Sequence, residues 1–275
     1  MNAITGNTSA STTTLGTAVV TGASAGIGRV YADRLARRGY DLILVARRGD
    51  RLDSVAATLR AAHGVAVSTI VADLADPAEL EKVAAALVAD KSITMLVNNA
   101  GSSTVAGLEA MSKAKMDAMN GINVLALVRL SHAIFPEFKT RDKGTLVNIG
   151  SVLALFSLPG GSLYSATKGY VQNFTRGLQE EAAGTGVTVQ LVMPGATATD
   201  IWELSGVPLS HLDPAHVMTP EDLVDAALAG LDLGEAVTMP GVEDIALFEA
   251  YDAARLALAA ATASGRPASR YAIGK

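Results

Sequence analysis

Residues 17–28 read Thr-Ala-Val-Val-Thr-Gly-Ala-Ser-Ala-Gly-Ile-Gly and combine the signals of a strand, a tight turn and the start of a helix. Its first five residues are apolar or β-branched, which predicts a buried strand. Gly22, Gly26 and Gly28 then predict a tight turn that lets the backbone approach a ligand. The following helix would offer unpaired amides and a positive dipole end to a phosphate. Such a turn can be purely structural, but its place between a first strand and a helix favours a pyrophosphate site that includes Ile27.

Short apolar runs alternate with amphipathic or alanine-rich stretches along the rest of the chain. We predict strands near residues 17–21, 41–46, 66–71, 93–98, 145–150, 187–193 and 235–239. We predict helices near residues 26–38, 50–62, 77–89, 112–138, 162–184, 220–231 and 243–262. This alternation predicts an α/β fold: a doubly wound, Rossmann-like parallel sheet of about seven strands with helices on both faces. In such sheets ligands bind beyond the carboxyl ends of the strands.

The composition favours a large core and excludes several classes of function. Of 275 residues, 49% are hydrophobic and 18% are charged. The net charge of −5 argues against a nucleic-acid surface. The absence of cysteine excludes disulfides and thiol catalysis, and the four histidines are too scattered to predict a metal site.

The sequence predicts a single domain that follows a short tail. Residues 1–15 are rich in Ser and Thr and lack the features of a signal peptide, so we expect a flexible tail. Residues 16–275 are predicted to form a single domain, with a segment near 197–218 acting as a lid over the substrate. No apolar run reaches the roughly 18 residues that a membrane span needs, so we expect a cytoplasmic protein that does not enter a membrane.

Two arginines, Arg47 and Arg48, follow the second predicted strand. An acidic residue at this point would bind the ribose hydroxyls of NAD. Guanidinium groups suit a 2′-phosphate instead, because they form forked, charge-assisted hydrogen bonds with it. The alternative is a pair of solvated arginines at a helix start. Their position favours NADP(H), with Ser24 adding a hydroxyl to the same phosphate.

Polar residues also follow the next two strands. Asp73-Leu74 comes after the third strand, where the carboxylate would meet the adenine amino group or cap the following turn. Asn99, Ala100 and Gly101 come after the fourth strand and suit close approach to a ribose, although Asn before Gly can be turn chemistry alone.

The sixth strand ends at a Pro-Gly pair, which stops the strand and leaves free amides and hydroxyls facing the crevice. We expect these residues to contact the cofactor: Pro194, Gly195, Thr197 and Thr199. Beyond them lies an apolar segment with Trp202 and Leu204, which we interpret as a lid on an apolar substrate; a packed surface loop is the alternative.

Tyr164 and Lys168 stand four residues apart in a predicted helix, so both lie on one face. A phenol has a pKa near 10, and a nearby ammonium favours the phenolate. We therefore expect Lys168 to lower the pKa of Tyr164, unless the pair is only helix surface. Asn123 lies within another predicted helix, where Asn is unfavourable; it either hydrogen-bonds locally and bends the helix or holds a water.

Together these motifs resemble the short-chain dehydrogenase/reductase family, in its compact single-domain branch. The resemblance rests on six features in order: T-G-x-x-x-G-I-G at 21–28, N-N-A-G at 98–101, Asn123, Ser151, Y-x-x-x-K at 164–168 and P-G at 194–195. It covers residues 17–241. One departure is Ala25, where NADP-preferring relatives often carry a basic residue, so the preference depends on the two arginines.

The resemblance implies a catalytic tetrad and a hydride transfer between NADP(H) and a carbonyl or secondary alcohol. Tyr164 would be the general acid or base, and Ser151 would hold the substrate oxygen. Lys168 would bind the nicotinamide ribose, and Asn123 would anchor a water that links Lys168 to solvent. Many relatives are dimers or tetramers. A non-catalytic NADP(H)-binding sensor is the alternative, but a sensor has no need of the proton-transfer residues.

Overall fold

The structure of the chain, a computed structural model, describes residues 15–271. The predicted flexible tail therefore lies outside the described residues except for its last residue, Leu15. The chain divides into two units, Met1–Pro240 and Gly241–Lys275. The single domain predicted for residues 16–275 stays a prediction.

The first unit contains a seven-stranded parallel sheet with the order β3-β2-β1-β4-β5-β6-β7. The predicted doubly wound fold is confirmed. The last strand is only two residues long, against five predicted. The strand bounds are β1 Thr17–Thr21, β2 Asp41–Ala46, β3 Val67–Val71, β4 Ile93–Asn98, β5 Gly144–Ile149, β6 Val187–Val192 and β7 Val237–Thr238.

Helices cover both faces of this sheet. Their bounds are α1 Gly26–Arg37, α2 Gly49–His63, α3 Pro77–Ala89, α4 Lys113–Asn120, α5 Leu127–Thr140, α6 Ser162–Ala182, α7 Ile201–Ser205 and α8 Pro220–Asp232. Side chains of one strand alternate between two apolar cores, since Val20 packs with α1, α2 and α8 while Val19 packs with α3, α5 and α6. Both faces are therefore buried, which is why the strands read as unbroken apolar runs.

The strand order indicates where on the sheet a ligand would bind. After β1 the chain winds outward through β2 and β3, and it then returns to pair β4 with the other edge of β1. The connections that follow β1 and β4 therefore leave the sheet in opposite directions. Parallel sheets bind ligands at this switch point, beyond the carboxyl ends of the strands.

One long helical stretch runs from Lys113 to Thr140 and changes its hydrogen bonding in the middle. Residues Gly121–Ala126 form a π-helical segment between α4 and α5. By length and composition alone this stretch could cross a membrane, and half of its apolar window is buried inside the protein. The sequence expectation was that no stretch is long and apolar enough to span a membrane. This stretch passes that test by length and composition, as buried core helices also do.

The second unit contains helix α9, Ala246–Ala261, in which no residue is buried. Asp252 and Arg255 form an ion pair one turn apart on this helix, with Nε and Oδ1 separated by 3.0 Å. The helix near 243–262 predicted from sequence is confirmed, with slightly narrower bounds.

Candidate active site

The turn after β1 has the close backbone packing that its glycines predicted. Gly22 and Gly26 have φ angles of +69° and +52°, a region that side chains disfavour. A Cβ at Gly22 would lie 2.8 Å from Asn99 Nδ2, and one at Gly28 would lie 2.5 Å from the same atom. The turn thus leads into the amino end of α1 without side chains in the way, which fits a diphosphate.

Asn99 connects this turn to the end of β4. Its side-chain amide donates to Thr21 O at 2.8 Å, and its backbone amide donates to Thr21 Oγ1 at 2.9 Å. Ala100 N donates to the same hydroxyl at 2.9 Å. Asn99 therefore holds two strand ends together, and the sequence did not single out Thr21, whose buried hydroxyl receives both amides.

A buried hydrogen-bond chain lies behind these strand ends. Asn98 Nδ2 donates to Ser131 Oγ at 3.0 Å and to Asn148 Oδ1 at 2.9 Å. Asn148 Nδ2 in turn donates to Thr175 Oγ1 at 3.0 Å. The chain links β4, β5 and α6, the elements that carry the candidate catalytic residues, so it fixes their relative positions. Sequence reasoning missed it, because the partners are far apart along the chain.

Ser151 lies immediately after β5, where the strand gives way to a short 3-10 turn. Its Oγ accepts a hydrogen bond from Leu153 N at 3.1 Å. Ser151 also lies near the Tyr164 hydroxyl, whose pKa it lowers. The next residue, Val152, donates its amide to Pro194 O at 2.9 Å, which holds the β5 and β6 ends together. Ser151 is thus 7% exposed and held in a defined place at the crevice.

Tyr164 and Lys168 lie one turn apart near the start of α6. Lys168 is 7% exposed, and its Nζ donates to Ile149 O at 2.9 Å. The same Nζ lies 5.7 Å from the centre of the Tyr164 ring. The alternative that this pair is only helix surface is wrong, because Lys168 is buried and both residues face the end of β5, where Ser151 lies.

The prediction that the pKa of Tyr164 is lowered is wrong in its net direction. Burial raises the pKa of Tyr164 to about 12, and the Ser151 hydrogen bond opposes this only in part. Burial also lowers the pKa of Lys168 to about 8. The physical reason is that desolvation disfavours both charged forms, and Lys168 points its ammonium at the Ile149 carbonyl.

Asn123 is almost fully buried in the π-helical segment. The prediction that it hydrogen-bonds locally is wrong, because its partners Ser102 and Thr167 are 21 and 44 residues away in the sequence. Its Oδ1 accepts from Ser102 N at 2.8 Å, and its Nδ2 donates to Ser102 O at 2.9 Å and Thr167 Oγ1 at 3.1 Å. Both amide hydrogens are thereby used. Because Thr167 bonds the Tyr164 carbonyl, Asn123 supports the first turn of α6. Its role in holding a water stays a prediction.

The predicted phosphate-binding residues converge in part. Arg48 Nη2 donates to Ser24 Oγ at 3.3 Å, which joins the glycine-rich turn to the start of α2. Arg51, in the first turn of α2, lies 3.5 Å from Asp200 Oδ2 through its Nη1. Arg48 Nη1 lies 3.8 Å from the same oxygen. Two guanidiniums therefore face the same space, and Arg51 is one of them.

Arg47 points elsewhere, toward the end of β3. Its Nη1 lies 3.8 Å from Asp73 Oδ2, while Asp73 Oδ1 accepts from Ala75 N at 3.0 Å. Asp73 therefore caps the turn, and its second oxygen faces Arg47 rather than open solvent. The Leu74 side chain is buried in the core, which leaves its backbone as the part that a ligand can reach.

The residues after β6 return toward the glycine-rich turn. Thr197 Oγ1 donates to Gly195 O at 3.2 Å. A Cβ at Gly26 would lie 3.1 Å from the Thr199 methyl group, so this segment packs directly on the turn. Gly101 approaches the site in a similar way, because a Cβ there would lie 3.2 Å from Asn123 Oδ1.

Three segments meet on the substrate side, one of which the sequence did not point to. Val105 N donates to Ser205 O, and Ala106 N donates to Gly160 O, each at 3.0 Å. Residues 102–107 thus join the predicted lid to the loop before α6. Trp202 is half-buried, with its indole nitrogen donating to Thr197 O at 2.8 Å. The apolar side chains Val105, Phe156, Leu158 and Leu204 stay 41–75% exposed.

Among residues 15–271 there is no group of three or more His, Asp or Glu side chains that could hold a metal ion. The candidate site itself combines a phenol, a hydroxyl and an ammonium with a glycine-rich turn that suits phosphate.

A family model described as short chain dehydrogenase matches residues 16–206. The chain belongs to the short-chain dehydrogenase family. It is accordingly an oxidoreductase that uses a nicotinamide cofactor and acts on small molecules, and the residues predicted from the family motifs lie together at one edge of its sheet.

Individual members of the family show how close the likeness is. A very-long-chain 3-oxoacyl-CoA reductase of Danio rerio is 34% identical over 78% of this chain and 68% of its own. A Sphingobium yanoikuyae short-chain dehydrogenase in complex with NADPH superposes with a TM-score of 0.90 at 42% identity, covering 94% of this chain and all of that one. A Comamonas testosteroni alcohol dehydrogenase specific for bulky-bulky ketones gives 0.86 at 37% identity, covering 94% and 99%.

Cofactor choice varies among these structures. A member of the family from Burkholderia phymatum was solved in complex with NAD; its TM-score is 0.74 at 25% identity, covering 86% of this chain and 91% of its own. The fold therefore accepts either dinucleotide, and selectivity has to come from particular side chains.

Proposed function

We propose that this protein is an NADP(H)-dependent oxidoreductase that interconverts an apolar ketone or aldehyde and the corresponding alcohol. One observation carries the proposal: Tyr164 lies beside Ser151, which lowers the pKa of its hydroxyl, and one turn from a buried Lys168, at the sheet edge that also carries the glycine-rich turn.

The cofactor supplies a hydride to the carbonyl carbon when it is bound. Tyr164 gives its proton to the carbonyl oxygen, so that the substrate gains one hydride and one proton. The Ser151 hydroxyl donates a hydrogen bond to the same oxygen and orients it. In the reverse direction Tyr164 has to accept a proton, which requires its phenolate.

Lys168 makes that proton transfer possible near neutral pH. With its pKa lowered to about 8, its ammonium is mostly protonated at pH 7 and lies close to the phenol. A ribose hydroxyl that takes the place of the Ile149 carbonyl as its partner would leave the positive charge free to stabilise a phenolate. Cofactor binding would thus bring the pKa of Tyr164 below its value of about 12 in the free protein.

The preference for NADP(H) is supported by the charges after β2. Arg47 and Arg48 replace the acidic residue that would bind the ribose of NAD, and Arg48 already bonds Ser24 at the glycine-rich turn. Relatives provide weaker support, since one was solved with NADPH and another with NAD. Because Ala25 adds no charge, the preference depends on the arginines.

The apolar substrate class is supported by the side chains around the entrance. Phe156, Leu158 and Leu204 are more than half exposed and lie on the segments that meet beside Tyr164. Between Gly177 and Arg255 the sequence has no Lys or Arg, so the lid has no cation for an anionic substrate. One relative is named for bulky-bulky ketones and another for very-long-chain 3-oxoacyl-CoA.

We further propose a cytoplasmic homo-oligomer. Leu125 and Tyr170 are 59% and 49% exposed on the long helical stretch and on α6, so each element presents a large apolar side chain that a second copy would cover. Light scattering of the purified protein tests this, because a monomer at micromolar concentration would contradict it.

The test of the enzymatic function is oxidation of NADPH in the presence of a panel of ketones, aldehydes and oxoacyl thioesters. Tyr164→Phe is the matched variant, because it removes only the hydroxyl. We expect its turnover to fall by about 10²–10⁴-fold while NADPH still binds. Near-normal turnover in the variant would refute the role of Tyr164. Tight NADPH binding with no turnover on any substrate would favour the sensor alternative.

A further inference from the structure

Asp200 occupies an unusual place at the base of the predicted lid. It directly precedes α7, where an aspartate commonly caps the helix, yet its side chain makes no capping hydrogen bond. Instead its Oδ2 faces Arg51 Nη1 at 3.5 Å and Arg48 Nη1 at 3.8 Å. The carboxylate is therefore oriented toward the arginines of the neighbouring chain segment.

The space that this carboxylate faces is bounded on several sides. Arg48 donates to Ser24 Oγ, so the glycine-rich turn forms one wall. Thr199, the residue before Asp200, packs on Gly26 of the same turn. Two guanidiniums thus face a single carboxylate oxygen, and one of them also bonds a hydroxyl of the turn suited to phosphate.

We propose that Asp200 is the resident anion of the 2′-phosphate site, and that Arg51 belongs to this site together with Arg48 and Ser24. The proposal rests on the proposed use of NADP(H). In the free protein the carboxylate neutralises the two arginines, and on binding the 2′-phosphate takes its place. NADH has no such group and leaves the contact intact.

The exchange is favourable for two physical reasons. A phosphate monoester carries more charge than a carboxylate and offers three acceptor oxygens, so it can bond both guanidiniums and the serine at once. The contact it replaces is weak, because Arg48, Arg51 and Asp200 are 42%, 52% and 60% exposed. Asp200 therefore reduces the affinity for NADPH without blocking it, and it connects cofactor choice to the start of the lid.

The test compares the dissociation constants for NADPH and NADH in wild type, Asp200→Asn and Glu203→Gln. Glu203→Gln is the matched control: it removes one negative charge three residues further along, and Gln can still accept the Leu209 amide hydrogen bond. We expect Asp200→Asn to tighten NADPH binding by about two- to fivefold, the usual value of exposed ion pairs, with NADH unchanged. The gain should shrink at high salt, because exposed charges are screened.

A second series tests Arg51 and the contact itself. Arg51→Gln should weaken NADPH binding but not NADH binding. When both Arg48 and Arg51 are replaced by Gln, Asp200→Asn should no longer change the affinity. Binding of 2′,5′-ADP against 5′-AMP repeats the comparison with probes that lack the nicotinamide.

Three results would overturn the proposal. If Asp200→Asn weakens NADPH, Asp200 positions the arginines instead of competing for them. If Glu203→Gln has an equal effect, only the net charge matters. If affinity does not change in Asp200→Asn although wild type prefers NADPH, the carboxylate is a bystander. A wild-type protein without any preference for NADPH is a separate outcome, which refutes the cofactor assignment and this proposal with it.

Discussion

Two polar clusters lie at the same edge of the sheet and differ in nearly every physical respect. The cluster of Ser151, Tyr164 and Lys168 is largely buried, and hydrogen bonds to strand ends hold its members. The cluster of Arg48, Arg51 and Asp200 is half exposed and contains ion pairs of 3.5–3.8 Å.

The two clusters differ in how strongly the solvent weakens the interactions of their charged groups. In the buried cluster, desolvation shifts the pKa of Tyr164 up and that of Lys168 down, so a small change of partner alters reactivity strongly. In the exposed cluster, water and salt reduce each interaction, so an incoming anion can exchange with the resident one. Proton transfer needs the first arrangement, and selective but reversible binding needs the second.

The largest effect should follow loss of the buried charge. We expect Lys168→Met to lower turnover by about 10²-fold or more, because the phenolate loses its stabilising ammonium. Alcohol oxidation requires the phenolate, so its rate rises with pH, and in the variant this rise should move to higher pH. The pH profile of oxidation measures both effects. An unshifted profile would show that Lys168 does not act on Tyr164.

Changes in the exposed cluster should alter the affinity for NADPH but not the turnover. Arg48→Ala should weaken NADPH by roughly 10–150-fold, the value of one hydrogen bond to a charged group. NADH affinity and turnover at saturating cofactor should barely change. Titration with each dinucleotide checks this, and Arg37→Ala, an exposed arginine on α1, is the control. Equal losses for both cofactors would contradict a phosphate contact.

The buried hydrogen-bond chain from Asn98 to Thr175 carries no charge, and its loss should lower the stability of the fold. Thr175→Val leaves Asn148 Nδ2 without its partner, so we expect the free energy of unfolding to fall by about 1–3 kcal/mol. Urea denaturation measures this. Thr58→Val is the matched control. The Thr175 hydroxyl donates to the carbonyl four residues earlier in its helix, and the exposed Thr58 hydroxyl makes the same bond. If the two variants lose equal stability, the buried chain does not hold α6 in place.

The smallest effect on affinity should come from the lid. Trp202→Ala removes an apolar surface and an indole hydrogen bond to Thr197 O, so it should change the ranking of ketones by size. Cofactor affinity should stay within about twofold, since surface changes away from a site are small. Specificity constants over a graded series of ketones test this. An unchanged ranking would favour the packed-loop alternative.

Much of the fold and of the catalytic set could be predicted from local patterns. Alternation of apolar and amphipathic stretches specifies strands and helices, because each period is a property of neighbouring residues. The glycines at 22, 26 and 28 indicate their turn for the same reason, and Tyr164 and Lys168 share a face through helical geometry alone. The family resemblance added Ser151 to this pair, and its position directly after β5 fits the rule that ligands bind at the carboxyl ends of parallel strands.

Other features of the site depend on partners that lie far apart in the chain. The pKa of Tyr164 depends on burial, which no local pattern specifies, and the sequence expectation had the wrong sign for the free protein. The pairing of Arg51 with Asp200 and the chain from Asn98 to Thr175 join residues from different elements. Desolvation and long-range contacts arise only when the sheet and its helices pack together, so these features follow from the packed fold and not from any single stretch of sequence.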